Sequence, residues 1–408
     1  MSDLLRIPMF RRLYAAHVIH IIGNEFTFIA IVGLLNDLSG SGLSFAAATV
    51  CRLVPYVLTS FFAGALLERW DKKTVMVAVN LARGILVSLF FWVTDPSQLW
   101  LAFALLIAMN IFGAFFTPAM QVAIVQSVEE PKRLAANSLL QGTTSLLIII
   151  CQGIAAFLVF LFSYRYNFLL DAACYFASML LLLGLPAFGQ AEGGVAGSFA
   201  ERLRDGFRYV RQRREIRHVL GLQMAERFAA SYYNLLMFYI LQERGQGLYV
   251  FGLLDIPLGL GGVAAGLVAG KLASRLSDGE LHKLKGAAML VMGIAIWLIF
   301  HAGPYPVMVV AILAASFTSM LLIILTVTRL QRMAEAGYLA RVFSLREMLT
   351  AGAFSFSSLA VGYAAEQAGS SPVAWGLAIW SIGSGLVWLA ARRSFVQSQE
   401  AKDSSFER

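Results

Sequence analysis

Charge is scarce in this chain of 408 residues: only 14% are Asp, Glu, Lys or Arg and 59% are hydrophobic, against roughly a quarter charged in soluble domains. That balance excludes a soluble globular enzyme. Cysteine is equally sparse, and Cys51, Cys151 and Cys174 sit inside apolar runs without CxxC or Cys/His spacing. They read as small buried hydrophobes, so neither a metal site nor a redox pair is expected. There is no GxxxxGK[ST] run, and Gly259-x-Gly261 follows no soluble strand, so ATP and dinucleotide loops are both excluded. No His/Asp or Ser/His set stands at the edge of an apolar run where substrate and water would meet, which argues against a membrane enzyme. The formal charge of +8 is divided among short clusters and forms no stripe, so nucleic acid is not an expected partner. No cofactor is expected either.

What the chain has is long apolar runs. Residues 96–128, 134–164, 286–328 and 367–391 carry no charged side chain, and a bilayer span needs only about 20 apolar residues. Turn residues divide the runs that are too long: Asp95-Pro96-Ser97, and Gly303, Pro304 and Pro306. The expectation is an all-α membrane protein of twelve spans, at 13–37, 43–67, 74–94, 98–126, 134–163, 167–187, 218–241, 247–273, 285–301, 305–328, 342–365 and 372–391. The first apolar segment has no small-residue cleavage site after it and is read as an uncleaved span.

Most of the 32 basic residues fall in alternate loops, among them Arg11 and Arg12, Lys72 and Lys73, Lys132 and Arg133, the arginines of 202–217, Lys283 and Lys285, and Arg329 and Arg332. Positive loops are retained in the cytoplasm, so both termini are placed there. Displacing the chain by 206 residues sets Gly64, Leu66 and Arg69 over Gly270, Leu272 and Arg275, which suggests two six-helix bundles in the same orientation. The expected organisation is an N-terminal bundle at 1–187, a basic amphipathic cytoplasmic linker at 188–217, a C-terminal bundle at 218–391 and a cytoplasmic tail at 392–408. Within the linker, Ser198 and Glu201 form a potential capping box before a face of Phe199, Leu203, Phe207 and Val210.

Gly64-Ala-Leu-Leu-Glu-Arg-Trp-Asp-Lys-Lys73 resembles the loop motif between spans two and three of the major facilitator superfamily, with Glu68 for the usual Asp and Asp71 for the usual Gly. Phe10-Arg11, Gly23-Asn24, Leu81-Ala82-Arg83-Gly84, Pro118-Ala119, Leu134 to Leu139, Asp171, Gly206 to Tyr209 and Arg341 to Ser344 extend the likeness along nearly the whole chain. Together they resemble the twelve-span drug and siderophore exporters, the branch of macrolide efflux proteins and enterobactin-type siderophore exporters. Two positions depart from it: Asn24 stands where Asp is frequent, with the carboxylate at Glu25, and Gln152-Gly153-Ile154 matches the antiporter Gly-Pro motif poorly. The resemblance implies a bacterial inner-membrane, proton-coupled exporter of a small amphipathic molecule, not an enzyme. Its expected partners are that substrate, protons and membrane lipids, and a monomer is expected. A lysophospholipid or lipid flippase of the same fold is the alternative.

Ionisable residues inside hydrocarbon are costly and mark the candidate site. His17, His20, Asn24 and Thr27 share a sector of about 80° on span one, with Glu25 at its edge. Gln223, Glu226, Arg227 and Asn234 share a sector of about 100° on span seven. A chamber between the bundles would be lined by both sets, with Arg52 and Asp255. Glu25 and Glu226 are the candidate proton-coupling carboxylates; for Glu25 the alternative is a structural ion pair with Arg52. Arg52 and Arg227 suit a carboxylate-bearing substrate. The family resemblance implies gating roles for Glu68, Arg69, Asp71 and Arg83. Asp255, two residues before Pro257, marks a potential opened turn. Asp171, Arg346 and Glu347 are read as solvated near span ends, Trp92, Trp100, Trp375 and Trp388 as interface anchors, and Gly262, Gly266 and Gly270 as a close-packing stripe.

Overall fold

Backbone in hydrocarbon has no partner but itself, and long apolar runs therefore fold as helices. The computed structural model describes residues 2–38, 42–67, 69–188, 199–245 and 248–391, and all regular structure among them is helical. Six long helices come first: α1 (Pro8–Leu38), α2 (Gly42–Leu67), α3 (Lys72–Leu89), α4 (Leu99–Ser127), α5 (Glu130–Leu161) and α6 (Tyr164–Leu183). They are followed by α7 (Phe199–Gln212), α8 (Arg214–Ala229), α9 (Tyr232–Phe238), α10 (Leu248–Arg275), α11 (Asp278–His301), α12 (Tyr305–Met333), α13 (Leu339–Ala368) and α14 (Ser370–Ala390). Ser198 of the expected capping box, Glu68 and the tail at 392–408 lie outside the described residues.

The turn chemistry falls where the sequence places it. The Asp95 carboxylate accepts from Ser97 N–H at 2.8 Å and begins a turn of 3-10 helix between α3 and α4. Gly303 takes a φ of +74° between α11 and α12, a backbone setting that favours glycine. By length and composition, nine helices among the described residues can cross a membrane. The expected spans 43–67, 134–163 and 218–241 are not in that number. In α2 the apolar stretch is Val50–Ser60. The third is interrupted: α8 ends at Ala229 and α9 starts at Tyr232, because the hydroxyls of Ser231 and Ser357 both donate to the Phe228 carbonyl, at 2.8 and 2.7 Å. In α10, by contrast, helix continues through Pro257, so the opened turn expected beside Asp255 does not form.

The chain gathers into two compact units. The first comprises residues 1–136, 146–212 and 331–351; the second comprises 137–145, 213–330 and 352–408. In the first, α1 lies along α6 and α3 packs against α4 and α6, around a core that includes Leu34, Val87, Phe90, Leu105, Phe168 and Tyr175. In the second, α11 lies along α14, and Tyr232, Leu235, Met292, Ile296, Ile312 and Leu377 fill the core. Small residues permit the close crossings of the second unit. A Cβ at Gly266 would sit 2.6 Å from the Gly142 Cα, and one at Gly262 would collide with Ser145 Oγ. Outward faces stay apolar, with Leu58, Leu180, Leu253, Leu359 and Val387 more than half exposed, as a lipid-facing surface requires.

Candidate functional site

In the first unit the polar face of α1 meets α3 and α6. Ser178 Oγ donates to the Ala16 carbonyl at 2.8 Å, Asn80 Nδ2 donates to Ser178 Oγ at 2.9 Å, and Asn80 Oδ1 faces His20 Nδ1 at 3.0 Å. A backbone carbonyl can only accept, so the direction of every bond in this chain is fixed. His20 must carry its proton on Nδ1, which leaves Nε2 as the bare acceptor facing Arg83 Nη1 at 3.4 Å. A doubly protonated ring would turn an N–H towards the guanidinium, so the network holds His20 neutral. The ring is fixed further by stacking on Phe116 at 4.0 Å and by an edge contact with Tyr175 at 5.2 Å.

Arg83 completes its set with Asn24 Oδ1, 3.1 Å from Nη2, and its guanidinium lies over the Tyr175 ring at 4.7 Å. Arg83 is 9% exposed, and its buried Nε has no hydrogen-bond partner. The cation is therefore bound by neutral acceptors and an aromatic face, with no carboxylate in contact among the described residues, an expensive arrangement in low dielectric. Arg52 on α2 is exposed, rests over Phe28 at 5.0 Å, and lies in the field of Glu25, itself buried. His17 is half-buried one turn before His20.

Asp171 departs from its expected solvated position. It is 0% exposed, because α6 begins at Tyr164 and carries the residue two turns into the helix. Thr27 of α1 donates its hydroxyl to Oδ2. The close approach depends on Gly23, where an added Cβ would collide with Asp171 Oδ1 and stand 2.8 Å from Cys174 Cβ.

At the loop between α2 and α3, Asp71 caps α3: its Oδ2 accepts from Thr74 N–H at 2.8 Å and from Thr74 Oγ1 at 2.7 Å. Its Oδ1 accepts from Phe188 N–H at 2.7 Å, tying the loop to the end of the α6 segment. Arg69 is exposed. At Gly64 a Cβ would lie 2.7 Å from the Arg341 Cα, so this glycine admits the start of α13 against α2. Tyr56 of α2 donates to Glu347 at 3.2 Å, and Glu347 pairs with Arg346. Both charged side chains are 15% exposed or less, not solvated as expected. On α7, Tyr209 stacks on Tyr338 at 4.0 Å and its hydroxyl accepts from Glu335 N–H at 3.0 Å.

The polar residues of the second unit are paired instead. Glu226, 0% exposed, receives Arg227 Nε and Nη2 at 2.7 Å each, and Ser319 of α12 donates to its Oε1. Arg227 Nη2 also donates to Ser319 Oγ at 3.0 Å. Gln223, one turn earlier, is buried. Asp255 accepts from Tyr233 OH at 2.8 Å, and Asn234 donates to Ser358 at 2.7 Å. Trp388 is no interface anchor: it is 7% exposed and donates to the His282 carbonyl at 2.9 Å, whereas Trp92, Trp100 and Trp375 are exposed.

A sequence model described as the Major Facilitator Superfamily matches residues 13–358. The chain belongs to that family. Among curated relatives, Macrolide efflux protein A of Streptococcus pyogenes is 22% identical over 209 residues, 50% of this chain and 51% of that protein. A Na(+), Li(+), K(+)/H(+) antiporter of Planococcus maritimus is 26% identical over 186 residues, 44% of this chain and 41% of that one. The chain spans about half the length of these curated relatives. Among solved structures, the human organic anion transporter MFSD10 has a TM-score of 0.77 at 14% identity, covering 93% of this chain and 99% of that one. The Escherichia coli fucose:proton symporter has a TM-score of 0.74 at 14% identity, covering 94% and 98%. These likenesses show the family's all-helical transporter fold. The chain is a multi-pass helical membrane protein of that family, whose members are not in general enzymes.

Of the residues named from sequence, the first unit brings His20, Asn24 and Arg83 into one network with Thr27 close by, while Glu226 and Arg227 meet in the second. Asn80, Tyr175, Ser178 and Ser319 were not anticipated. Their signal was available: Asn80 and Arg83, and Asp171, Tyr175 and Ser178, recur at helical spacing on one face of otherwise apolar segments.

Proposed function

We propose that the protein is a secondary active transporter that exports a small amphipathic molecule by alternating access, in exchange for protons. The observation that carries this reading is the gathering of Arg83, His20, Asn24, Glu25 and Arg52 around α1–α3, ionisable and polar groups set in otherwise apolar helices, where such groups mark ion and polar-ligand paths. Export and proton exchange are the activities in the names of two relatives, which supports the direction and the coupling. Arg52, exposed and seated on Phe28, offers a guanidinium fork beside an aromatic face. It suits an anionic group on an apolar body, as in a siderophore or an acidic drug.

Twelve spans in two six-helix halves, 1–187 and 218–391, joined by the linker and acting as a monomer with cytoplasmic termini in a bacterial inner membrane, complete the reading. Glu25 and Glu226 are its coupling carboxylates. Proton uptake at Glu226 requires the Arg227 fork to open first. His17, Gln223, Asn234 and Asp255 are its further substrate contacts, and Glu68, Arg69, Asp71 and Arg83 its gate.

The test is uptake of a radiolabelled macrolide and of a carboxylate siderophore into inverted membrane vesicles. Uptake of at least one, abolished when the proton gradient is collapsed, is expected. Uptake indifferent to the gradient contradicts coupling. Transfer of a labelled lysophospholipid in liposomes without a gradient would replace the reading with a lipid flippase.

A further inference from the structure

We infer that Asp171 is a proton-carrying carboxyl of the transport cycle, held protonated in the conformation described here and ionised when Arg83 turns to it. The inference rests on the proton-coupled reading above and adds to it a residue that reading does not use.

The two oxygens of Asp171 are treated differently. Oδ2 accepts from the Thr27 hydroxyl, whereas Oδ1 is buried and has no hydrogen-bond partner. Oδ1 lies against Gly23 so closely that not even a methyl group fits between the two helices there, which leaves no room for a bridging water. An anion with one unsolvated oxygen in a dry interior is far more costly than a neutral acid in the same place. The geometry therefore favours the acid.

Arg83 supplies the alternative state. It acts on Asp171 through its field without forming an ion pair with it, and its Nε–H is buried without an acceptor. The same cluster thus holds an unsatisfied acceptor on α6 and an unsatisfied donor on α3. Bringing them together would satisfy both, release the proton of Asp171 to water on the side then open, and free His20 Nε2 and Asn24 Oδ1 from the guanidinium. The exchange moves one proton, that of Asp171. The ionisable groups facing Asp171 are Arg83 from α3, Glu25 from α1 and its own neighbours Cys174 and Tyr175; Cys151 from α5 acts on Cys174, and Arg52 from α2 on Tyr175.

The test is infrared difference spectroscopy of the full chain in liposomes during a pH titration, a readout independent of any substrate. The wild type is expected to show a protonated-carboxyl band that disappears on alkalinisation, lost in Asp171→Asn and kept in Glu25→Gln. Thr27→Val keeps the acid but removes a donor to its ionised form, so the band should persist to a pH higher by about one unit. That variant decides the matter if Asp171→Asn does not fold. A band unchanged in Asp171→Asn, or unmoved in Thr27→Val, overturns the assignment. A titrating Asp171 in a protein whose macrolide and siderophore uptake ignores the gradient would instead overturn the coupled-transport reading.

Discussion

The polar cluster of α1, α3 and α6 and the Glu226 pair of α8 solve the same problem in opposite ways. In the second unit a buried carboxylate is neutralised by the guanidinium next to it in sequence and by Ser319. In the first, a guanidinium rests on neutral acceptors while a carboxyl group on another helix keeps an oxygen unpartnered. A satisfied pair has little to gain from moving, whereas an unpartnered N–H and an unpartnered carboxyl oxygen in one cluster gain by meeting. The first cluster is accordingly where the Asp171 switch is placed, and substitutions in the two regions should fail in different ways.

The largest stability effect is expected from Arg227→Met, which strands the fully buried Glu226 and should destabilise the second unit by about 3–5 kcal/mol, read by thermal unfolding in detergent. Stability equal to wild type would show that the pair contributes nothing to the second unit. Gly23→Ala should cost about 1–3 kcal/mol by forcing α1 from α6 at Asp171, the overpacking penalty. Asn80→Leu cuts the chain between Ser178 and His20 and leaves Ser178 with one partner fewer, for about 1–2 kcal/mol. Here activity should fall more than stability, because His20 loses the acceptor that fixes its tautomer.

The smallest effect is a local one at the α3–α4 turn. Hydrogen bonds from Ser97 hold the Asp95 carboxyl below its ordinary range. A depressed folded-state value means that the cap contributes above the unfolded carboxylate pKa and is lost as pH falls through the folded one. Amide exchange at Ser97 should accelerate only on that acid side, and in Asp95→Ala it should be fast at every pH.

The bilayer made much of the fold legible. Helix positions follow from the length of apolar runs, and the Asp95-Pro96-Ser97 and Gly303-Pro304 turns from local backbone chemistry. The polar face of α1 was legible too, since His20, Asn24 and Thr27 recur at helical spacing. Asp171 was not. A start of the span at residue 167 places it at a wet edge; the actual start at Tyr164, and contacts with Gly23 and Thr27 far away in sequence, bury it. Trp388 was misplaced for the same reason, because its hydrogen bond to the His282 carbonyl is tertiary.

Gradient-driven uptake of a labelled macrolide or siderophore into inverted vesicles carrying Arg83→Gln or Ser319→Ala, normalised to folded protein, separates the two regions. Arg83→Gln should abolish gradient-driven uptake, while Ser319→Ala, which removes one hydroxyl from an otherwise intact ion pair, should leave it within about threefold of wild type. Uptake that survives Arg83→Gln and is lost with Ser319→Ala would move the switch to the second unit and contradict its placement in the first.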